Sequence, residues 1–112
     1  MNVQIFGTKK SQDTRKAERW FKERRIPFQS IDMNAKGLSR GEFDSVVKAV
    51  GLEDLIDQNC RDKDLLALVT YISERSRADK MFENQEVLKL PIVRNGKAAT
   101  AGFCPEVWKT WE

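Results

Sequence analysis

The sequence predicts an α/β fold: a four-stranded mixed sheet whose βαβ and ββα halves are separated by a helical insertion. Three observations carry this. Short β-prone runs at Val3 to Phe6 and Phe28 to Met33 enclose one amphipathic stretch. Capped helical periodicity fills residues 39 to 82. A strand-like run, Leu90 to Val93, then leads into Asn95-Gly96, a strong two-residue hairpin signal. The chain has 112 residues, one domain's worth, so residues 1–112 are expected to form a single domain.

Val3 to Phe6 is apolar and is followed at once by Gly7 and a polar turn, which reads as a buried strand entering a loop. Residues 12 to 25 place Ala17, Trp20 and Phe21 on one helical face and Arg15, Lys16, Arg19, Lys22 and Arg25 on the others. Glu18 to Lys22 is a favourable i,i+4 pair. Ile26-Pro27 ends this helix, because a residue before proline avoids the α region. With one helix between them, the first two strands are expected to lie parallel in a right-handed crossover.

Ser39-Arg40-Gly41-Glu42 is a capping box, followed by Phe43, Val46, Val47 and Val50 at helical spacing, with Gly51 as the stop. Leu52 to Asp57 reads as a short helical turn. Leu65 to Ser76 reads as a third helix with Leu65, Leu68, Val69 and Ile72 on its buried stripe, and Ala78 to Phe82 adds a turn or two. Lys97 to Gly102 is the expected return strand. Pro105 suits the first position of a last helix, with Val107, Trp108 and Trp111 packing inward. Strand, helix, strand, helical insertion, hairpin, helix is the order of a thioredoxin-like fold. It puts residues 7 to 11 at the start of the first helix, with Pro91 beside them.

Composition narrows the chemistry. No run of apolar residues is long enough to span a bilayer, and the N-terminus has no signal-peptide pattern, so a cytoplasmic protein without membrane partners is expected. The histidine count is zero, which removes Ser-His-Asp and Cys-His catalysis and the common His-containing metal sites. No metal is expected. The net charge of +3 permits an acidic partner, but many plain globular domains are as basic, and nucleic acid is not expected. Cys60 and Cys104 are too distant in sequence for a C-x-x-C pair. Cys60 lies in the polar stretch Asp57 to Asp62 and reads as a surface thiol. Cys104 starts the last helix, a position that lowers a thiol pKa.

Gly7-Thr8-Lys9-Lys10-Ser11 links a strand to a helix, as a phosphate loop does. It lacks the glycine that such a loop places directly before its lysine, where Lys9 stands. A simpler anion site remains: unpaired N–H groups of the first helical turn, with Lys9, Lys10 and Arg15 adding charge. The alternative is a solvated basic turn with Ser11 or Asp13 acting only as N-cap.

The run from Ile5 through Gly7-Thr8-Lys9-Lys10-Ser11-Gln12-Asp13-Thr14-Arg15-Lys16-Ala17 to Phe21 resembles the opening of the ArsC/Spx family. That family comprises glutaredoxin-linked arsenate reductases, their uncharacterised relatives and the transcriptional regulator Spx. Further matches are Arg24-Arg25-Ile26-Pro27-Phe28, the Leu38-Ser39 helix start, Leu90-Pro91-Ile92-Val93 and Gly102-Phe103-Cys104-Pro105-Glu106. The resemblance covers nearly the whole chain and implies a thioredoxin- and glutaredoxin-like fold.

Carried over by position, the resemblance puts the family's nucleophilic cysteine at Ser11 and the second cysteine of the Spx-type pair at Thr14. Arg15 matches the arginine that follows, and Pro91 the proline that is cis and borders the site. Of the three arginines with which the reductases bind an oxyanion, Arg61 stands near the first, while Leu90 and Phe103 occupy the places of the others. Cys104 lies next to Phe103. The resemblance thus implies an oxidoreductase family and departs from it at the nucleophile.

A cysteine at a helix N-terminus beside lysines becomes a thiolate at neutral pH. A serine does not, and without histidine there is no base to activate it. Three readings follow. The protein is a reductase relative without thiol chemistry, holding no bound cofactor but retaining affinity for a small oxyanion or for glutathione, the family's co-substrate. Or it is an adaptor for a protein partner, as Spx is for RNA polymerase, presenting the basic face of residues 15 to 25. Or Ser11 is an engineered replacement in a working reductase.

Overall fold

Val3–Gly7 (β1) and Phe28–Asp32 (β2) run parallel, with Val3 opposite Phe28 and Gly7 opposite Asp32. Ile92–Asn95 (β3) pairs antiparallel with β1, and Ala98–Ala101 (β4) antiparallel with β3. The sheet order is β2-β1-β3-β4, a four-stranded mixed sheet of the expected topology. The structure, a computed structural model, describes residues 1–111. The helices are Gln12–Glu23 (α1), Arg40–Val50 (α2), Leu52–Leu55 (α3), Lys63–Tyr71 (α4), Glu74–Glu83 (α5) and Pro105–Trp108 (α6). Among the described residues no helix is long and apolar enough to cross a membrane.

The period-two alternation of β1 builds two cores. Val3 and Ile5, with Val93 of β3, join Ala17, Trp20, Phe21 and Trp108 under α1 and α6. Phe6 and Ile92 point the other way, toward Phe43, Val46, Leu55, Val69, Met81 and Val87 of the insertion. Each fully buried aliphatic or phenyl side chain here contributes about 1.5–3 kcal/mol. Trp108 is completely buried. Its indole N–H donates to the Thr100 hydroxyl at 2.8 Å, tying α6 to β4.

Helix ends follow local chemistry. Ser39 and Glu42 form the capping box of α2. At the end of α1, the Arg25 N–H donates to the Lys22 carbonyl and the Ile26 N–H to that of Phe21, with Arg25 at φ 57. That left-handed closure, rather than Pro27 alone, turns the chain, at a position where glycine is usual. The Leu90–Pro91 peptide is cis.

Several expectations need correction. Residues 65 to 76 are not one helix: α4 ends at Tyr71 and α5 begins at Glu74, after Ser73 as N-cap. Leu68, expected on the buried stripe, is exposed, and Ile72 is the extended C-cap of α4. The short α4 buries Leu65 and Val69 alone. The hairpin turn falls one residue later than Asn95-Gly96, since Asn95 pairs with Ala98 and leaves Gly96-Lys97 as the loop. Gly96 supplies the positive φ of 62 that the first loop position requires. Glu18 accepts the Ser30 hydroxyl at 2.6 Å, and no Glu18–Lys22 ion pair forms among the described residues. Val107, expected inside, is 40% exposed.

Candidate functional site

β1 ends at Gly7, and the chain turns through Thr8, Lys9 and Lys10 before α1. The Ser11 N–H donates to the Thr8 carbonyl at 3.2 Å, closing the turn. Ser11 is the N-cap of α1: its backbone is extended and its Oγ accepts the Thr14 N–H at 3.1 Å. The N–H groups of Gln12 and Asp13 have no partner within the helix, and the dipole of this 12-residue helix is positive at this end. Gly7 permits the close approach of strand and helix, because a Cβ there would collide with the Thr14 side chain.

A cleft of about 690 Å³ opens in front of Ser11, between α1, the segment before α4 and the segment leading into Pro91. Lys10, Arg61 and Lys89 bring positive charge to it, against Asp13, Asp57, Asp62 and Glu86. Two of those carboxylates are partly used. Asp57 accepts the Asn59 N–H at 2.9 Å, and Asp62 caps α4 by accepting the Leu65 N–H at 3.0 Å. The cleft is therefore of mixed charge, suited to a ligand carrying both signs.

The sequence-derived residues divide between surfaces. Ser11, Lys10 and Arg61 share this cleft with Leu90, the residue before the buried cis Pro91. The Pro91 carbonyl accepts the Gly102 N–H at 2.9 Å. Lys9, Thr14 and Arg15 line a second cleft, of about 200 Å³, behind the β1–α1 loop. Lys9, Lys10 and Arg15 thus do not surround one point. Phe103 is 38% exposed and packs edge-on to Trp108 at 5.4 Å, so its ring serves the α6 core. Cys104 opens onto a third cleft, of about 510 Å³, with Glu53, Asp54 and Lys89. Lys89 borders both this cleft and that of Ser11.

Both cysteine expectations are corrected. Cys60 is buried rather than a surface thiol, with its Sγ 3.8 Å from the Glu86 carbonyl. The Asp57-Gln58-Asn59 turn folds it inward, and its N–H donates to the Asp57 carbonyl at 3.0 Å. The Asp-x-Asn pattern ahead of the Asp62 helix cap marks a turn in the sequence but not which way Cys60 faces. The thiol of Cys104 has its pKa pushed up, not down. Burial is the main cause and Glu106 adds to it, against the opposing effects of Lys89 and Thr100. Its Sγ donates to the Ala101 carbonyl at 3.3 Å. A helix of four residues carries too small a dipole to reverse this.

The sheet order, the cis proline and the strand-to-helix turn define a thioredoxin-like α/β protein with its candidate site at the N-terminus of α1. A model of the ArsC family matches residues 6–111, and the chain belongs to that family. Among solved structures, an ArsC family related protein from Bacteroides fragilis superposes with a TM-score of 0.86 at 16% identity, covering 100% of this chain and 98% of its own. The arsenate reductase from Vibrio cholerae gives 0.79 at 21% identity, covering 96% and 94%. An arsenate reductase (ArsC) related protein from Brucella melitensis gives 0.69 at 21%, covering 99% and 94%. At such identities the likeness defines the fold. No curated protein matches the chain.

Proposed function

We propose that this ArsC-family protein binds a small anionic thiol compound of the glutathione type in the Ser11 cleft and carries out no thiol chemistry there. The observation that carries this is Ser11 itself. It stands at the N-terminus of α1, where the family resemblance places the nucleophile, and its Oγ is committed to the Thr14 N–H. No histidine exists in the chain to take its proton. Binding is supported by the helix N-terminus, Lys10 and Arg61, and the neighbouring carboxylates favour a zwitterionic peptide over a bare oxyanion such as arsenate. With Leu90 and Phe103 lacking cationic groups, a developing oxyanion would have few partners.

Titration of isotope-labelled protein with reduced glutathione and, separately, arsenate tests this. Glutathione is expected to shift the amides of residues 10 to 13 and of Arg61, and arsenate to shift them less. No arsenate turnover is expected with glutathione and glutaredoxin present. Turnover, or shifts confined to other surfaces, would overturn the reading.

A second reading, an adaptor for an acidic protein partner in the manner of Spx, is favoured by one feature. Arg15, Lys16, Arg19 and Lys22 are exposed along α1, and none is ion-paired among the described residues. Loss of partner capture on reversing the Lys16, Arg19 and Lys22 charges, with glutathione binding intact, would select it.

A further inference from the structure

The smaller cleft, behind the β1–α1 loop, lies between the carboxyl ends of the parallel strands β1 and β2 and the first turns of α1. Thr14 is one wall. It is 5% exposed, and its Oγ1 is buried with no hydrogen-bond partner. The side chain lies against Gly7, which also lines the cleft. Leaving a buried hydroxyl unpaired costs about 1–3 kcal/mol, and native proteins pair nearly all such groups. The hydroxyl therefore stands beside the cleft without a partner of its own.

The charges say what kind of molecule. Lys9 and Arg15 border the cleft, and neither meets a carboxylate among the described residues. Glu18, on α1 with Arg15, and Asp32 at the end of β2 border it too, each with one oxygen occupied. The Ser30 hydroxyl donates to Glu18 Oε2 at 2.6 Å, and the Asn34 N–H to Asp32 Oδ1 at 2.9 Å. The second oxygen of each makes no hydrogen bond among the described residues. A simple anion would face two carboxylates here, and a simple cation two bases. A volume of about 200 Å³ has room for roughly six or seven heavy atoms, taking about 30 Å³ as one water's share of liquid volume.

We propose that this cleft binds an α-amino-acid group, a carboxylate beside a protonated amine. Lys9, Arg15 and the Thr14 hydroxyl take the carboxylate, and Asp32 and Glu18 take the ammonium. The site is separate from the Ser11 cleft and does not depend on what occupies that one; Thr8 borders both. Such a group belongs to a free amino acid or to the γ-glutamyl end of a peptide.

Titration of the labelled full chain with L-alanine and with γ-glutamylglycine, using N-acetyl-L-alanine and inorganic phosphate as controls, tests the proposal. One or both of the first two shift the Gly7, Thr14 and Asp32 amides saturably, and the tighter identifies the source. Thr14→Val keeps the shape of the side chain and weakens that binding about tenfold or more, the loss expected of a hydrogen bond to a charged group. Asp32→Asn, at an exposed position, weakens it too, so the proposal does not rest on one variant folding. Equal shifts with N-acetyl-L-alanine or phosphate would make this a plain anion site and overturn the proposal. Silence of these amides with every probe, or unchanged affinity in both variants, would overturn it as well.

Discussion

Two helix N-termini in this protein look alike in sequence and differ in chemistry. Ser11 and Cys104 each follow a strand and each cap a helix. Ser11 caps 12 residues of α1, gives its oxygen to a first-turn N–H and faces an open cleft with Lys10 and Arg61. Cys104 caps only Pro105–Trp108, donates its proton to Ala101 and is held down by burial and by Glu106. The lesson is that a helix N-terminus activates a group only when the helix is long enough to sustain a dipole and the group is wet enough to ionise. Here the activating position carries the hydroxyl and the quenching position carries the thiol.

The largest expected effect comes from dismantling the quenching position. Trp108→Ala removes the fully buried indole that ties α6 to Thr100 and packs against Trp20, Phe21 and Phe103. It is expected to cost about 3–5 kcal/mol in chemical denaturation. The freed Cys104 thiol should then have a lower pKa and alkylate faster. An unchanged thiol in a folded variant would show that burial is not what restrains it.

Next in size is Ser11→Cys. The lysines and the dipole of α1 should bring the new thiol from about 8.5 into the roughly 3.5–7.5 range. Absorbance against pH follows the thiols together, and mixed-disulfide formation on glutathione disulfide, mapped by mass, separates position 11 from Cys60 and Cys104. Modification is expected at position 11 and not at Cys104 near neutral pH. An ordinary pKa at position 11 would erase the contrast between the two helix starts.

The smallest effect is Glu106→Gln. It removes the secondary cause of the raised Cys104 pKa, so the pKa should fall by less than it does in Trp108→Ala. The sign for stability follows. The folded state holds this proton more tightly than the unfolded chain, so the associated stability is intact below the ordinary thiol pKa. It is lost as pH rises through the raised value. Denaturation midpoints across alkaline pH should therefore fall less steeply in the variant than in the parent.

The sequence by itself determined the halves of the sheet, the capped starts of α1 and α2 and the place of Ser11. Each rests on interactions within a few residues or on a periodicity of two or 3.6. The order of elements placed Pro91 beside residues 7 to 11, whereas Arg61 came into the neighbourhood of Ser11 only through family resemblance. The break between α4 and α5 was not legible, because the helical spacing of Leu65, Leu68, Val69 and Ile72 runs right up to it and only packing decides that Leu68 faces water. Nor was the fate of either thiol. Cys60 is buried by a turn that draws it against Glu86, and Cys104 is raised by the desolvation that Trp108 and β4 impose. The separation of Lys9 and Arg15 from Lys10 depends on which side of one loop each side chain leaves. Charge, burial and cleft membership are set by neighbours distant in the chain, and those exist only once the sheet has brought its two halves together.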